Sequence, residues 1–322
     1  MNIQQPIAYA GEMGAAVLGV GFLVACLAAA ETPPAPAAGS RASPVAEAHA
    51  GLASGCLAYA RLSDLPKGTL LKAGNLIITE KDVADEIAKA PQDVQAQLKK
   101  NGLFMLEQIA GPKLIVQAAK AEAARTGKEL PSTVDRLVMD YHIGGLVEKV
   151  EATDAEVADF YQKNKDMVGD ATLDQVKPEI RKYLVREKQQ AVIAKYIETL
   201  GQRTPIEVSA SWVKDQAALA KDNLVDKARA SGRPSLVDFG ASGCRPCDMM
   251  APILEMLKKK HEGKANILFV HVREEQILAA RHGIQSIPVQ VFFDKDGKET
   301  FRHVGFFPQD EIEKKLAEMG VK

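Results

Sequence analysis

The sequence predicts a two-domain chain, a mainly α-helical region followed by an α/β domain. Three observations carry this expectation. Residues 67–210 are rich in Ala, Leu, Lys and Glu, with apolar residues at helical spacing. From residue 234 short apolar strands alternate with amphipathic helices. The run Cys244-Arg245-Pro246-Cys247 falls between the first of those strands and the helix after it. A length of 322 residues suits two ordinary domains and a leader. With 46% hydrophobic and 26% charged residues a packed core is available, and a formal net charge of −1 gives nucleic acid no electrostatic hold.

Residues 1–30 read as a signal peptide, lipoprotein leader or anchor. The stretch GAAVLGVGFLVACLAAA, residues 14–30, is apolar and uncharged, with a length between a signal core and a minimal membrane span. Residues 1–13 contain no Lys or Arg, unlike the basic start of an export leader. Within the run, Leu23-Val24-Ala25-Cys26 resembles a bacterial lipoprotein box, which implies lipidation of Cys26. The competing cleavage follows Ala28-Ala29-Ala30. Residues 31–66, whose first part is rich in Pro, Ala and Ser, are expected to be a flexible tether. Cys56, in GLASGCLAYA, reads as a small buried or incidental thiol, with a second lipoprotein box, lacking a strongly apolar segment before it, as the alternative.

In the helical region, residues 67–79 read as two short strands leading to a helix capped by Thr79, with Asp82 in its first turn. Helices are expected over 80–90, 91–100 and 103–125, the last kinked or restarted at Gly111-Pro112. Pro131-Ser132 opens a helix to about 149, and Thr153-Asp154-Ala155-Glu156 is a capping box for the next. A long helix spans 173–201, with Leu173, Val176, Ile180, Leu184, Ile193, Ile197 and Leu200 mostly on one face. Pro205-Ile206-Glu207-Val208 is a candidate closing strand. The segments AGNLIITEKDVADEIAKAPQDVQAQL, LEQIAGPKLIVQAAKAEA, TDAEVADFYQKNKD and VKPEIRKYLVREKQQAVIAKYIETL resemble the N-terminal helical domain of SurA- and PpiC-type periplasmic chaperones. That resemblance implies a client-cradling arm. The parvulin isomerase domain that many members insert after the equivalent of Tyr161–Lys165 is absent, so no isomerase activity is expected. A helical spacer or dimerisation arm is the alternative.

Residues 211–322 are assigned to the second domain, with 211–231 as its first helix. Strands are expected at 235–239, 267–272, 289–293 and 299–303, the last two joined by an Asp-Lys-Asp-Gly turn, and helices at 246–260, 273–282 and 308–318. A CxxC beside a βαβ pattern is a redox motif. The first cysteine must be a thiolate to attack a disulfide, and the N–H groups and dipole of a helix N-terminus stabilise that charge. Cys244 is therefore the expected exposed nucleophile and Cys247 the more buried resolving thiol. Zinc would need two further ligands, and His261 and His271 do not have finger spacing. Haem attachment needs His directly after the second cysteine, where Asp248 stands. No metal and no cofactor beyond the cysteine pair is expected.

LVDFGASGCRPCDMMAPILEML resembles the strand, active site and long helix of thioredoxins. The resemblance implies a thioredoxin-like α/β fold. It implies that Asp238, six residues before Cys244, is a buried carboxyl that takes the proton from Cys247. It also implies that Ile287-Pro288 is a cis-proline loop facing the disulfide, and that Gly305 is the late glycine near that surface. Arg245, Pro246, Ile287, Pro288 and Gly305 are the candidate client-contacting residues. The pattern departs from thioredoxins where tryptophans are usual, at Gly240 and Gly243, and where a lysine neighbours the aspartate, at Phe269. The last departure should make the surroundings of Asp238 more apolar. AARHGIQSIPVQVFFDKDGKETFRHVGFFP resembles bacterial thioredoxins that pair with membrane electron carriers of the CcdA or DsbD type. The expected activity is extracytoplasmic thiol–disulfide exchange on cysteine-containing clients, in the reducing direction. Isomerisation, oxidation, or a holdase with a thioredoxin-fold docking domain are the rivals.

Overall fold

The structure, a computed structural model, describes residue 45, residues 52–165 and residues 171–322. The apolar run at 14–30, with Cys26, lies outside the described residues. The described chain divides into two compact units. One comprises residues up to 152 with 181–220, and the other 153–180 with 221–322.

In the first unit a short 3-10 segment, Gly55–Tyr59, leads into β1 (Arg61–Ser63). β2 (Thr69–Ala73) and β3 (Leu76–Thr79) form a hairpin whose two-residue loop starts at Gly74, φ +60, a left-handed position that glycine occupies freely. Thr79 closes the strand and caps α1 (Glu80–Ala88). Its hydroxyl accepts the Asp82 N–H (3.2 Å), and the Asp82 carboxylate accepts the Thr79 N–H (2.7 Å). α2 (Gln92–Lys100), α3 (Gly102–Thr126) and α4 (Asp135–Val147) follow. α3 runs unbroken through Pro112, where the sequence suggested a kink or restart. Burial of Leu103, Leu106, Ala110, Leu114 and Ile115 along this central helix outweighs the cost of an interior proline, about 3 kcal/mol. α4 starts three residues after Ser132 because that hydroxyl accepts the Val134 N–H (3.0 Å) in a local turn that competes with helix.

α5 (Asp154–Lys163) has the expected Thr153–Glu156 capping box, and α6 (Leu173–Arg203) is the expected long helix; the division between the units falls within it. β4 (Glu207–Ser209) lies between β1, to which it runs parallel, and β2, to which it runs antiparallel; the sheet order is β1-β4-β2-β3. α7 (Ala210–Ala220) packs on α2, α3, β1 and β4.

Two expectations are corrected by this arrangement. Residues 52–66 are not a tether. Leu52, Cys56, Leu57 and Ala60 are buried, and Arg61 N–H donates to Ile206 O (2.8 Å), so this apolar stretch is covered by the helices and extends the sheet. The boundary at 210/211 also moves: α7 buries Val213, Ala217 and Ala220 in the first unit, and Gln216 Oε1 accepts the Gly102 N–H (3.1 Å). The stretch read as one helix over 211–231 is broken at Asn223. Its side chain accepts the Asp226 N–H (2.9 Å) and starts α8 (Leu224–Arg229).

The second unit continues with β5 (Ser235–Gly240), α9 (Arg245–Lys260), β6 (Asn266–His271), α10 (Gln276–Arg281), β7 (Val289–Phe293), β8 (Glu299–Val304) and α11 (Gln309–Glu318). The sheet order is β6-β5-β7-β8, with β5 and β6 parallel and the other pairs antiparallel. Alternate residues of the central strands point to opposite faces. Val237, Phe239, Val291 and Phe293 join one core, with Val225 and Leu278. Leu236 and Phe292 join the other, with Met250, Leu257, Ile312 and Leu316. Both faces of the sheet are thus covered, and all six residues of β5 are buried.

Glu107 on α3 holds the entering segment down. Its carboxylate accepts the Ser54 hydroxyl (2.8 Å), and burial pushes its pKa up to about 7. Nearby, a Cβ on Gly201 would come within 2.6 Å of the Cys56 carbonyl oxygen. Gly201→Ala is expected to destabilise this unit by roughly 1–3 kcal/mol, because backbone must move to admit the methyl group. Urea unfolding of the full chain, followed by far-ultraviolet circular dichroism, measures it.

Candidate active site

β5 ends at Gly240 and three residues carry the chain to Cys244, the N-cap of α9. Gly243 turns this loop with φ +77. Arg245 and Pro246 form the first helical positions, where the missing proline N–H has no intrahelical role. Cys244 and Cys247 are disulfide-bonded, with Cα atoms 5.2 Å apart. The first helical turn closes with Asp248 N–H donating to Cys244 O (2.9 Å), and the last carries Lys258, Lys259 and Lys260 at the negative end of the dipole. A thiolate released at Cys244 would sit at the positive end.

The cis peptide Ile287-Pro288 faces this pair: Cys244 Sγ lies 4.0 Å from Ile287 O. Gly305, with φ +103, donates its N–H to Pro288 O (2.8 Å) and so ties the start of the loop after β8 to the proline. The structure therefore brings together Cys244, Cys247, Ile287, Pro288 and Gly305. The expectation that Cys244 is exposed and Cys247 buried does not hold in this disulfide form. Their exposures are 6% and 4%, because the Ile287-Pro288 loop covers the first sulfur as the helix covers the second.

Asp238 is fully buried in the middle of β5. Burial pushes its carboxyl up to about 7, moderated by Gln290 Nε2, which donates to Oδ1 at 2.7 Å from the facing position on β7. Oδ2 has no hydrogen-bond partner among the described residues. Two residues on, Gly240 lies on the same face of the strand, and a Cβ there would be 3.4 Å from Cys247 Sγ. The carboxyl and the second cysteine thus share one side of the sheet. A Cβ on Gly240 would also meet the Phe269 ring at 2.9 Å. Phe269 pairs with Asp238 across the strands, but it is 47% exposed and its ring lies over Gly240, where thioredoxins usually carry tryptophan. Its ring lies where a side chain at 240 would begin, and the desolvation of Asp238 comes from the burial of the strand itself.

Gln290 was not singled out from the sequence, although a polar residue inside VQVFF is a visible break in an apolar central strand. Cys56 is a free, buried thiol, pushed well up in pKa by burial and by the neighbouring Glu107 charge.

This fold and site define a thioredoxin-fold domain with a redox-capable CxxC. Residues 222–320 match the family model described as "Thioredoxin-like domain", and the chain belongs to that family through this domain. It is 46% identical to thioredoxin from Staphylococcus aureus over 77 residues, which is 24% of this chain and 73% of that protein. Among solved structures, a mutant thioredoxin from Halobacterium salinarum NRC-1 is 28% identical, covering 30% of this chain and 83% of that one, with a TM-score of 0.28. Thioredoxin from Fasciola hepatica is 30% identical, covering 29% and 86%, with a TM-score of 0.27.

The raised Asp238 pKa has a definite sign. Between about pH 4 and 7 the native Asp238 keeps a proton that it has lost in the unfolded chain, so its contribution to native stability falls as pH rises through that window. Above it the native state carries the whole cost of a buried charge. Asp238→Asn is therefore expected to be more stable than the parent at pH 8, by up to about 4 kcal/mol, and nearly equal to it below pH 4. Denaturant unfolding at the two pH values measures both.

Proposed function

We propose that the protein is an extracytoplasmic thiol–disulfide oxidoreductase working in the reducing direction on cysteine-containing clients. The observation that supports this most directly is the Cys244–Cys247 disulfide at the N-terminus of α9, set against the cis Ile287-Pro288 loop. In the reduced enzyme the Cys244 thiolate attacks one sulfur of a client disulfide, and the other client sulfur leaves as a thiolate. Cys247, its proton passing to Asp238, attacks Cys244 Sγ and expels the second client thiolate. Two electrons have passed to the client, and the pair is left as the disulfide. Arg245, Pro246, Ile287, Pro288 and Gly305 form the surface on which the client chain lies. Returning the pair to the dithiol needs a two-electron donor. A membrane carrier of the CcdA or DsbD type fits an enzyme held outside the cytoplasm by its leader, through lipidated Cys26 or after cleavage.

The helical unit is the client-holding arm in this reading, in the manner of a SurA-type N-terminal domain. Val134, Leu137 and Tyr141 at the start of α4 support it. They recur at three- and four-residue spacing and are 56%, 52% and 44% exposed, an apolar stripe suited to an extended chain. The same stripe favours the second reading, a holdase that uses the thioredoxin fold for docking.

Cys244→Ser separates the two. Insulin reduction by dithiothreitol is expected to be accelerated by the parent and to return to the uncatalysed rate with the variant; equal rates for both would sink the enzyme reading. The reduction potential decides direction. A value near about −270 mV fits a reductase, and one above about −180 mV an isomerase or oxidant.

A further inference from the structure

The loop that delivers Cys244 is held by groups outside the set just described. Ser242 stands two residues before Cys244, beyond the end of β5. His271 Nε2 lies 3.2 Å from the Ser242 amide nitrogen and 3.3 Å from its hydroxyl. Arg273 Nη1 donates to the Ser242 carbonyl at 3.3 Å. Both backbone polar groups of Ser242 are thus engaged by side chains from the end of β6 and the residues after it. The Ser242 N–H can be satisfied by His271 only if Nε2 accepts, which puts the ring proton on Nδ1; that atom faces the Glu274 carboxylate at 3.7 Å. Before Ser242 the chain is held by the Val272 N–H on Gly240 O (2.9 Å) and by buried Ala241; after it Gly243 carries no side chain, and nothing lies within 4 Å of a Cβ built there.

We propose that His271 and Arg273 are positioning residues for the redox pair, pinning Ser242 so that Cys244 is held within bonding reach of Cys247. The inference rests on the oxidoreductase reading. Its physical content is effective concentration. A pinned loop keeps the two thiols together in the reduced form, which favours the intramolecular disulfide over two mixed disulfides. A released loop lets Cys244 wander, and the disulfide becomes easier to reduce.

The test is the equilibrium of the full-length protein with reduced and oxidised glutathione, for the parent, H271A, H271Q, R273A and S242A. Losing one hydrogen bond of this kind should shift the equilibrium about fivefold toward the dithiol. H271A and R273A are each expected to show that shift. H271Q, whose amide oxygen can reach the Nε2 position and accept the Ser242 N–H, is expected to return to the parent value. S242A keeps both backbone contacts and is expected to stay near the parent. A merely structural role would lower thermal stability without moving the glutathione equilibrium, or would leave H271Q as impaired as H271A. Either result overturns the proposal, as does an unchanged equilibrium in both H271A and R273A. If H271A fails to fold, R273A and H271Q still decide the matter. Failure of the oxidoreductase reading is distinct, because the parent itself would then not accelerate insulin reduction.

Discussion

The site depends on the complete burial of one strand. β5 is paired on both sides and covered on both faces, so its path is fixed by every neighbour it has. That single constraint does two things at once. It desolvates Asp238, which is why a carboxyl in the strand's middle holds its proton to near neutrality. It also fixes where the chain leaves the sheet, and hence where the N-terminus of α9 and its cysteines must lie. A buried carboxyl and a cysteine pair are thereby placed on a rigid element and its immediate continuation. The parts that flank the disulfide on its outer side are loops, Ile287-Pro288 and the turn into Cys244.

The substitutions around that strand compensate one another. Thioredoxins usually place large indoles on the approach to the first cysteine, and this chain has glycine at both places. Phe269, from the neighbouring strand, lays its ring over Gly240, and a Cβ at position 240 would crowd it. Volume is thus supplied from β6, which bears one of the loop's polar contacts as well.

Much of the redox domain was legible in the sequence because its signals are local. Strand periodicity, the helix opening at Cys244, the Asp-Lys-Asp-Gly turn and the proline at 288 each act over a few residues. Gln290 and the Ser242–His271 contact were not legible, because each is a pairing across the sheet or between loops that only the fold brings together. The N-cap at Thr79 and the capping box at Thr153 marked helix starts correctly for the same local reason. The two misplaced boundaries share a cause. Residues 52–66 look like linker and Ala210–Ala220 looks like the start of the next domain, yet each is claimed by a distant partner: β1 by β4, and α7 by α2 and α3. Nothing in a short run of consecutive residues announces a partner so far along the chain. Continuity of α3 through Pro112 has the same origin, tertiary burial overriding a local breaker.

The two buried carboxyls, Glu107 in the helical unit and Asp238 in the redox unit, have a joint consequence. Each is held near pKa 7, well above the value an unfolded chain would show. At mildly acidic pH these two carboxyls hold protons when folded that they have lost when unfolded, and draw them from the solvent, while buried His282, pushed down to about 3, releases one. The measured heat of folding then includes the ionisation enthalpy of whatever buffer gives those protons up.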